Sequence, residues 1–292
     1  MGGAGMGERR SVTIVGADGV NLAGTLAGEG PLVLLLHGGG QTRHSWDRTL
    51  DRLVAAGCTA LSLDMRGHGD SGWAPRSGGY DFDGYRGDIR AVLAELPEPP
   101  AVVGASLGGV AAMLALGAEK DGGVALARCL VLVDVVPRME DAGVRRIRRF
   151  MASAPDGFAN LDEAADAIAE YRPGRPRPRS LDGLAKNLRL HPDNRYRWHW
   201  DPRILEGFGG TEDERHRAMA DAARGVAVPT LLVRGAHSDV VGDEGTRELA
   251  ELIPHVRVAE IAEAGHMVAG DSNDVFSDAI IEYVREHATT TG

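Results

Sequence analysis

Only two of the 292 residues are cysteine, Cys58 and Cys129, and each stands beside an aliphatic run (CTALSLD and CLVLVD). Neither has metal-ligand spacing, so both read as small buried core residues. No apolar run reaches the roughly 18–20 residues that a membrane span requires. The amino-terminal MGGAGMGERR has no apolar h-region and reads as a flexible leader over residues 1–10. These two features give a cytoplasmic protein without a membrane partner as the expectation. Walker, HExxH, CxxC and EF-hand patterns are missing, TIVGADG lacks G-x-G-x-x-G, and there is no repeat period or heptad run. Neither a metal nor a cofactor is expected. Positive charge is also in deficit, with 32 basic residues against 42 acidic ones and a formal charge of −10. Such a surface repels phosphate backbones and argues against general nucleic-acid binding.

What is present is ordinary globular composition, 43% hydrophobic and 25% charged. Short apolar runs alternate with segments of helical period, which argues a mostly parallel sheet covered by helices. The runs are SVTIV (11–15), LAGTLA (22–27), PLVLLLH (31–37), CTALSLD (58–64), AVVGAS (101–106), CLVLVDVV (129–136), PTLLVRG (229–235) and VRVAEI (256–261). Several are continuously hydrophobic, as strands covered on both faces should be. The first two alternate and flank GADG, a hairpin signal, so they are expected at an antiparallel edge. Helices are expected over 47–56, 83–96, 107–118, 243–253 and 272–287.

The alternation stops after Val136. Residues 138–225 hold no aliphatic strand and carry 17 basic against 15 acidic side chains, so the remainder holds nearly all of the negative charge. A segment this long is more than a loop. It is expected as a helical cap over the carboxyl ends of the strands, where open α/β sheets bind ligands. The domain expectation is therefore a core of 11–137 plus 226–292, with 138–225 as the cap.

Candidate chemistry begins at VVGASLGGV (102–110). Gly104-Ala105-Ser106-Leu107-Gly108 fits G-x-S-x-G between a predicted strand and a predicted helix, which is the context this nucleophile motif demands. A serine hydroxyl needs a base, itself oriented by a carboxylate. Of ten histidines, His266 in EAGHMVAGD lies just after the last predicted strand. Asp239 in RGAHSDVV, after the seventh run, completes the chain order Ser106, Asp239, His266. Asp134, in LVLVDVV at the end of the sixth predicted strand, is the rival acid, and the loop context favours Asp239. Oxyanion donors should be fixed backbone amides. Leu107 supplies one, and LLLHGGGQTRHSW supplies the other at Gly39, with Gly40 as the alternative register. His37 is expected to hold that loop by hydrogen bonds. Expected pocket contacts are Gly40, Trp198 (from RYRWHWDP, which carries two of the four tryptophans), Val241 and Met267. The Arg runs at 145–149 and 172–179 read as solvated cap surface.

HGGG, DMRGHGDSG (64–72), GASLGG, the Asp239 loop and GHMV together resemble the α/β-hydrolase superfamily, and within it the capped esterase, lactonase and cofactor-free peroxidase-like group. The resemblance covers nearly everything outside leader and cap. It implies an eight-stranded α/β-hydrolase fold and a serine hydrolase that forms an acyl-enzyme without a cofactor. Arg66, His68 and Asp70 are implied to fix a turn. Serine at the elbow sets the chain apart from branches with an aspartate nucleophile. Gly40, where perhydrolase-type relatives carry Pro, argues against efficient peroxide-driven chemistry. A medium-sized ester or lactone is the expected small-molecule substrate. Carbon–carbon bond hydrolysis, perhydrolysis and a receptor role with little turnover stay open, as does homo-oligomer formation.

Overall fold

The computed structural model describes residues 8–75, 79–118, 125–171, 181–207, 209–262, 264–266 and 273–288. The first seven residues of the expected leader, the whole 172–179 Arg run and Met267 lie outside them. The chain opens with β1 (Arg10–Val15), β2 (Asn21–Ala27), β3 (Leu32–Leu36), α1 (Asp47–Ala55), β4 (Thr59–Leu63), α2 (Phe82–Glu95), β5 (Ala101–Ala105), α3 (Leu107–Gly117) and β6 (Cys129–Val133). There follow α4 (Asp141–Met151), α5 (Leu161–Tyr171), α6 (Asp182–Ala185), β7 (Leu188–Leu190), β8 (Tyr196–Trp198) and α7 (Glu212–Gly225). β9 (Thr230–Gly235), α8 (Asp243–Leu252), β10 (Val256–Ile261) and α9 (Ser277–Glu286) complete it.

Eight strands form one sheet in the order β1-β2-β4-β3-β5-β6-β9-β10. The β1–β2 and β2–β4 pairs are antiparallel, and every other pair is parallel. The alternating runs thus sit at the antiparallel edge, while β3, β5 and β6 are buried along their whole length at the centre. Side chains alternate between the two faces of each central strand. Leu34, Leu36, Val102, Leu130 and Leu132 feed the core on one face, and Val33, Leu35, Val103, Val131 and Val133 feed the other. Cys58 and Cys129 are free and buried, and burial pushes the Cys129 thiol up to about 12. Among the described residues no helix is long and apolar enough to cross a membrane.

α3 is buried all round, which explains its run of Gly, Ala and aliphatic residues. Between β6 and β9 the chain builds its own small core from Phe150, Phe158, Ile168, Leu184, Trp198 and Trp200. This segment also holds the antiparallel β7–β8 hairpin, which its sequence does not announce because LRL and YRW are short and half polar. α7 begins at a capping box formed by Thr211 and Glu214. Its Met219 and Ala223 join the core of the main sheet.

Candidate active site

β5 ends at the elbow. Ser106 adopts φ 46°, ψ −113°, a left-handed backbone that a non-glycine residue rarely holds without a reason. The sharp reversal brings flanking backbones into contact. A Cβ at Gly104 would lie 2.5 Å from the Gly108 carbonyl, and one at Gly108 would lie 2.5 Å from the Leu36 carbonyl. The serine amide donates to the Val133 carbonyl of the neighbouring strand (3.0 Å), which anchors the turn to the sheet. Leu107 opens α3, so its N–H has no partner within the helix.

His266 follows β10 and is buried, its side chain 4% exposed. Its Nδ1 lies 2.6 Å from Oδ2 of Asp134, a carboxylate 1% exposed at the end of β6. The Gly235 amide donates to Asp134 Oδ1 (3.2 Å) and the Ser238 hydroxyl donates to Oδ2 (2.7 Å). Asp134 therefore takes the place beside His266 that the sequence reading assigns to Asp239. Asp239 is turned outward, 32% exposed, with its carboxylate 2.9 Å from the Arg146 guanidinium of α4. The cause is local. Ser238 points inward to Asp134 and accepts the Val240 and Val241 amides (3.2 and 3.0 Å), which closes the turn and leaves the next side chain facing α4. The sequence signal for Asp134 is a carboxylate closing a fully buried aliphatic strand.

The glycine run after β3 has its register set by hydrogen bonds. The Gly38 amide donates to Gln41 Oε1 (3.0 Å) and the Gly40 amide to His68 Nε2 (3.1 Å). Among the described residues only the Gly39 amide of the three is left without an acceptor, so Gly39 rather than Gly40 is the available donor. His37 holds this loop, its Nδ1–H donating to the Gly38 carbonyl (2.7 Å) and its Nε2 accepting the Met65 amide (3.0 Å). Burial lowers His37 to about 4 and His68 to about 3, so both rings are neutral near pH 7. Arg66 and Asp70 serve the turn, Arg66 bonding both oxygens of buried Asp88 and Asp70 pairing with Arg43.

Ser106, His266, Gly39 and Leu107 all border one cavity of about 420 Å³. Its apolar walls include Phe82, Val110, Ile147, Met219 and Val240. Charged residues also line it, among them Asp141 and Glu212 from the first turns of α4 and α7, and their shared hydrogen bond pushes the Glu212 carboxyl up. Three expected pocket contacts lie elsewhere. Trp198 stacks on Trp200 (5.0 Å between ring centres) inside the insert core, because that small domain needs its aromatics for its own packing. Val241 is buried beside Val240, which takes the lining position. Gly40 packs against Trp200 and Met151 and does not itself line the cavity. The missed walls of α4 were traceable, since Val144, Ile147 and Met151 recur at helical spacing. Arg148 lines the cavity too, although its run reads as solvated surface. Among the described residues no group of three or more His, Cys, Asp or Glu is placed to hold a metal ion.

A strained serine at a strand–helix elbow, a buried carboxylate–histidine pair and, among the described residues, two amides without an acceptor on one cavity define a class, and comparison with known proteins gives the same class. The family model described as the alpha/beta hydrolase family matches residues 33–279, and the chain belongs to that family. It is 33% identical over 266 residues to esterase Rv0045c of Mycobacterium tuberculosis, covering 88% of this chain and 83% of that protein. A solved structure of that esterase superposes with a TM-score of 0.73 at 29% identity, covering 97% of this chain and 92% of that one. An α/β hydrolase from Novosphingobium aromaticivorans superposes with a TM-score of 0.78 at 27% identity, covering 97% and 100%.

Proposed function

We propose that this hydrolase is a serine esterase that cleaves carboxylic esters or lactones through an acyl-enzyme on Ser106. The reading rests on one observation above the others: Ser106 and His266 border the same cavity while buried Asp134 holds the far nitrogen of His266. His266 Nε2 takes the hydroxyl proton as Ser106 Oγ attacks the substrate carbonyl. Asp134 keeps the ring proton on Nδ1 and stabilises the imidazolium that forms. The amides of Gly39 and Leu107 bind the developing oxyanion, and being fixed beforehand they cost no reorganisation at the moment of reaction. The tetrahedral species collapses, His266 hands its proton to the leaving alkoxide, and the alcohol departs. Water, deprotonated by His266, then attacks the acyl carbon, the acyl–Oγ bond breaks, His266 returns the proton to Ser106 Oγ and the carboxylic acid leaves. The apolar walls suit an aliphatic or aryl substituent on either side of the ester, and the 138–225 segment acts as the cap over it. The similarity to an esterase supports the ester as substrate.

Hydrolysis of p-nitrophenyl acetate and butyrate, together with labelling by a fluorophosphonate, tests the reading. Wild type should turn over repeatedly and label at one serine. Ser106→Ala should lose both. Undiminished hydrolysis or labelling in that variant overturns the assignment, and single labelling without turnover in wild type overturns the esterase reading in favour of a receptor.

A further inference from the structure

We infer that His68, together with Trp200 of the insert, is a positioning residue for the oxyanion amide of Gly39, so that the insert takes part in stabilising the transition state as well as covering the substrate. The inference rests on the esterase reading. A run of three glycines has little conformational preference of its own, so the direction of any one of its amides must be imposed from outside. In a planar trans peptide the N–H points opposite to the preceding carbonyl. The peptide before Gly39 is held through its carbonyl, which accepts from His37 Nδ1 (2.7 Å) and from the Gln41 amide (3.1 Å). The peptide after Gly39 is held through its N–H, the Gly40 amide donating to His68 Nε2 (3.1 Å). Gly39 is thereby gripped on both sides, and releasing either grip lets its N–H swing.

His68 is suited to this task. Its Nδ1–H donates to the Arg66 carbonyl (3.0 Å), which leaves Nε2 as an acceptor, and its burial keeps the ring neutral. The turn that carries it is tied to the insert, the Gly69 amide donating to the His199 carbonyl and the Asp201 amide to the Gly67 carbonyl, both at 2.8 Å. Between these two bonds Trp200 covers the other side of Gly40. A Cβ at residue 40 would stand 3.3 Å from Trp200 Cζ3 and 3.3 Å from Met151 Cε, and φ there is +77°. Gly40 is thus held by a hydrogen bond on one side and by insert side chains on the other.

The test is the rate ratio between an ester and its matched O-thionoester, in which sulfur replaces the carbonyl oxygen. Sulfur is a weak hydrogen-bond acceptor, so the thionoester gains little from the oxyanion amides. Because both rates come from one preparation, the ratio does not depend on how much of a variant is folded. His68→Ala should lower the ratio about tenfold or more, misaiming one donor where full removal costs about 10²–10³. His68→Gln, whose Oε1 can accept the Gly40 amide, should restore most of it. Trp200→Leu should lower the ratio about threefold, and Trp73→Ala, exposed on the same turn, should leave it at the wild-type value. An unchanged ratio in His68→Ala overturns the role of His68, and an unchanged ratio in Trp200→Leu overturns that of the insert. Should His68→Ala yield no folded protein, His68→Leu, closer in volume and equally without an acceptor for the Gly40 amide, takes its place with the same expected loss and the same overturning result. Wild type that hydrolyses no ester counts against the esterase reading instead.

Discussion

Replacing Asp134 by Asn separates the two candidate acids. Asp134 accepts at both oxygens, Oδ1 from the Gly235 amide and Oδ2 from the Ser238 hydroxyl and His266 Nδ1. An asparagine has one accepting oxygen and one NH₂ group. With the oxygen kept on Gly235, the NH₂ faces His266 Nδ1 and forces the ring proton onto Nε2, which can then no longer take a proton from Ser106. With the amide turned over, NH₂ meets the Gly235 N–H and one buried donor is left unpaired, at about 1–3 kcal/mol. The first arrangement keeps more hydrogen bonds, so the wrong tautomer dominates and kcat should fall about 10⁴-fold, equivalent to about 5 kcal/mol of transition-state stabilisation. KM should change little, because the ground state meets the same walls. Asp239→Asn removes only a partly exposed pair with Arg146, worth about 1 kcal/mol of stability at most, and should keep kcat within about twofold. Steady-state kinetics on p-nitrophenyl butyrate, corrected for the folded fraction, reads both. A loss of 10³-fold or more in Asp239→Asn (about 10³ being the low end of a triad loss), with Asp134→Asn near wild type, would refute the reasoning.

Two further outcomes follow from the same geometry. His37 and His68 are lowered to about 4 and about 3 from 6.5, so below pH 6.5 the unfolded chain binds protons that the folded one refuses. Stability should therefore be full above pH 6.5 and fall as pH drops toward 4, by about 3 kcal/mol for His37 alone, and urea midpoints between pH 7 and 4.5 should show it. A flat profile would contradict the neutral buried rings. Ile147→Trp, which fills part of the cavity from α4, should lower kcat/KM for an octanoyl ester at least tenfold relative to the acetyl ester, the order of discrimination that apolar pockets supply at about 1–3 kcal/mol per methylene. Equal effects on both esters would place the acyl group outside this cavity.

The order and type of the frame elements were legible along the chain because their causes are local. Burial on both faces writes a continuous aliphatic run such as LVLLL or CLVLV, and the antiparallel edge writes an alternating one. The elbow was legible for the same reason. The close approach of Gly104 to Gly108 is a short-range steric demand that shows as small residues around Ser106. His266 could be singled out by its place just after the last strand. The β7–β8 hairpin was not legible, since its strands are three residues each and their pairing is decided by the aromatic packing of the insert. Trp198 was misread for a related reason: an aromatic that lines a pocket and one that fills a small core look alike in sequence.

The sequence by itself determined the tight turn around Ser106, the succession of strands along the chain and a histidine just after the last of them, because each follows from neighbours a few residues away. Only the tertiary structure decided which carboxylate meets that histidine and which glycine amide is available. The first depends on whether residue 238 or 239 turns inward against a strand about a hundred positions earlier in the chain. The second depends on His68 reaching Gly40 across 28 positions. Both choices are made by hydrogen bonds between distant segments, and the cost of leaving a buried donor unpaired is what makes them single-valued.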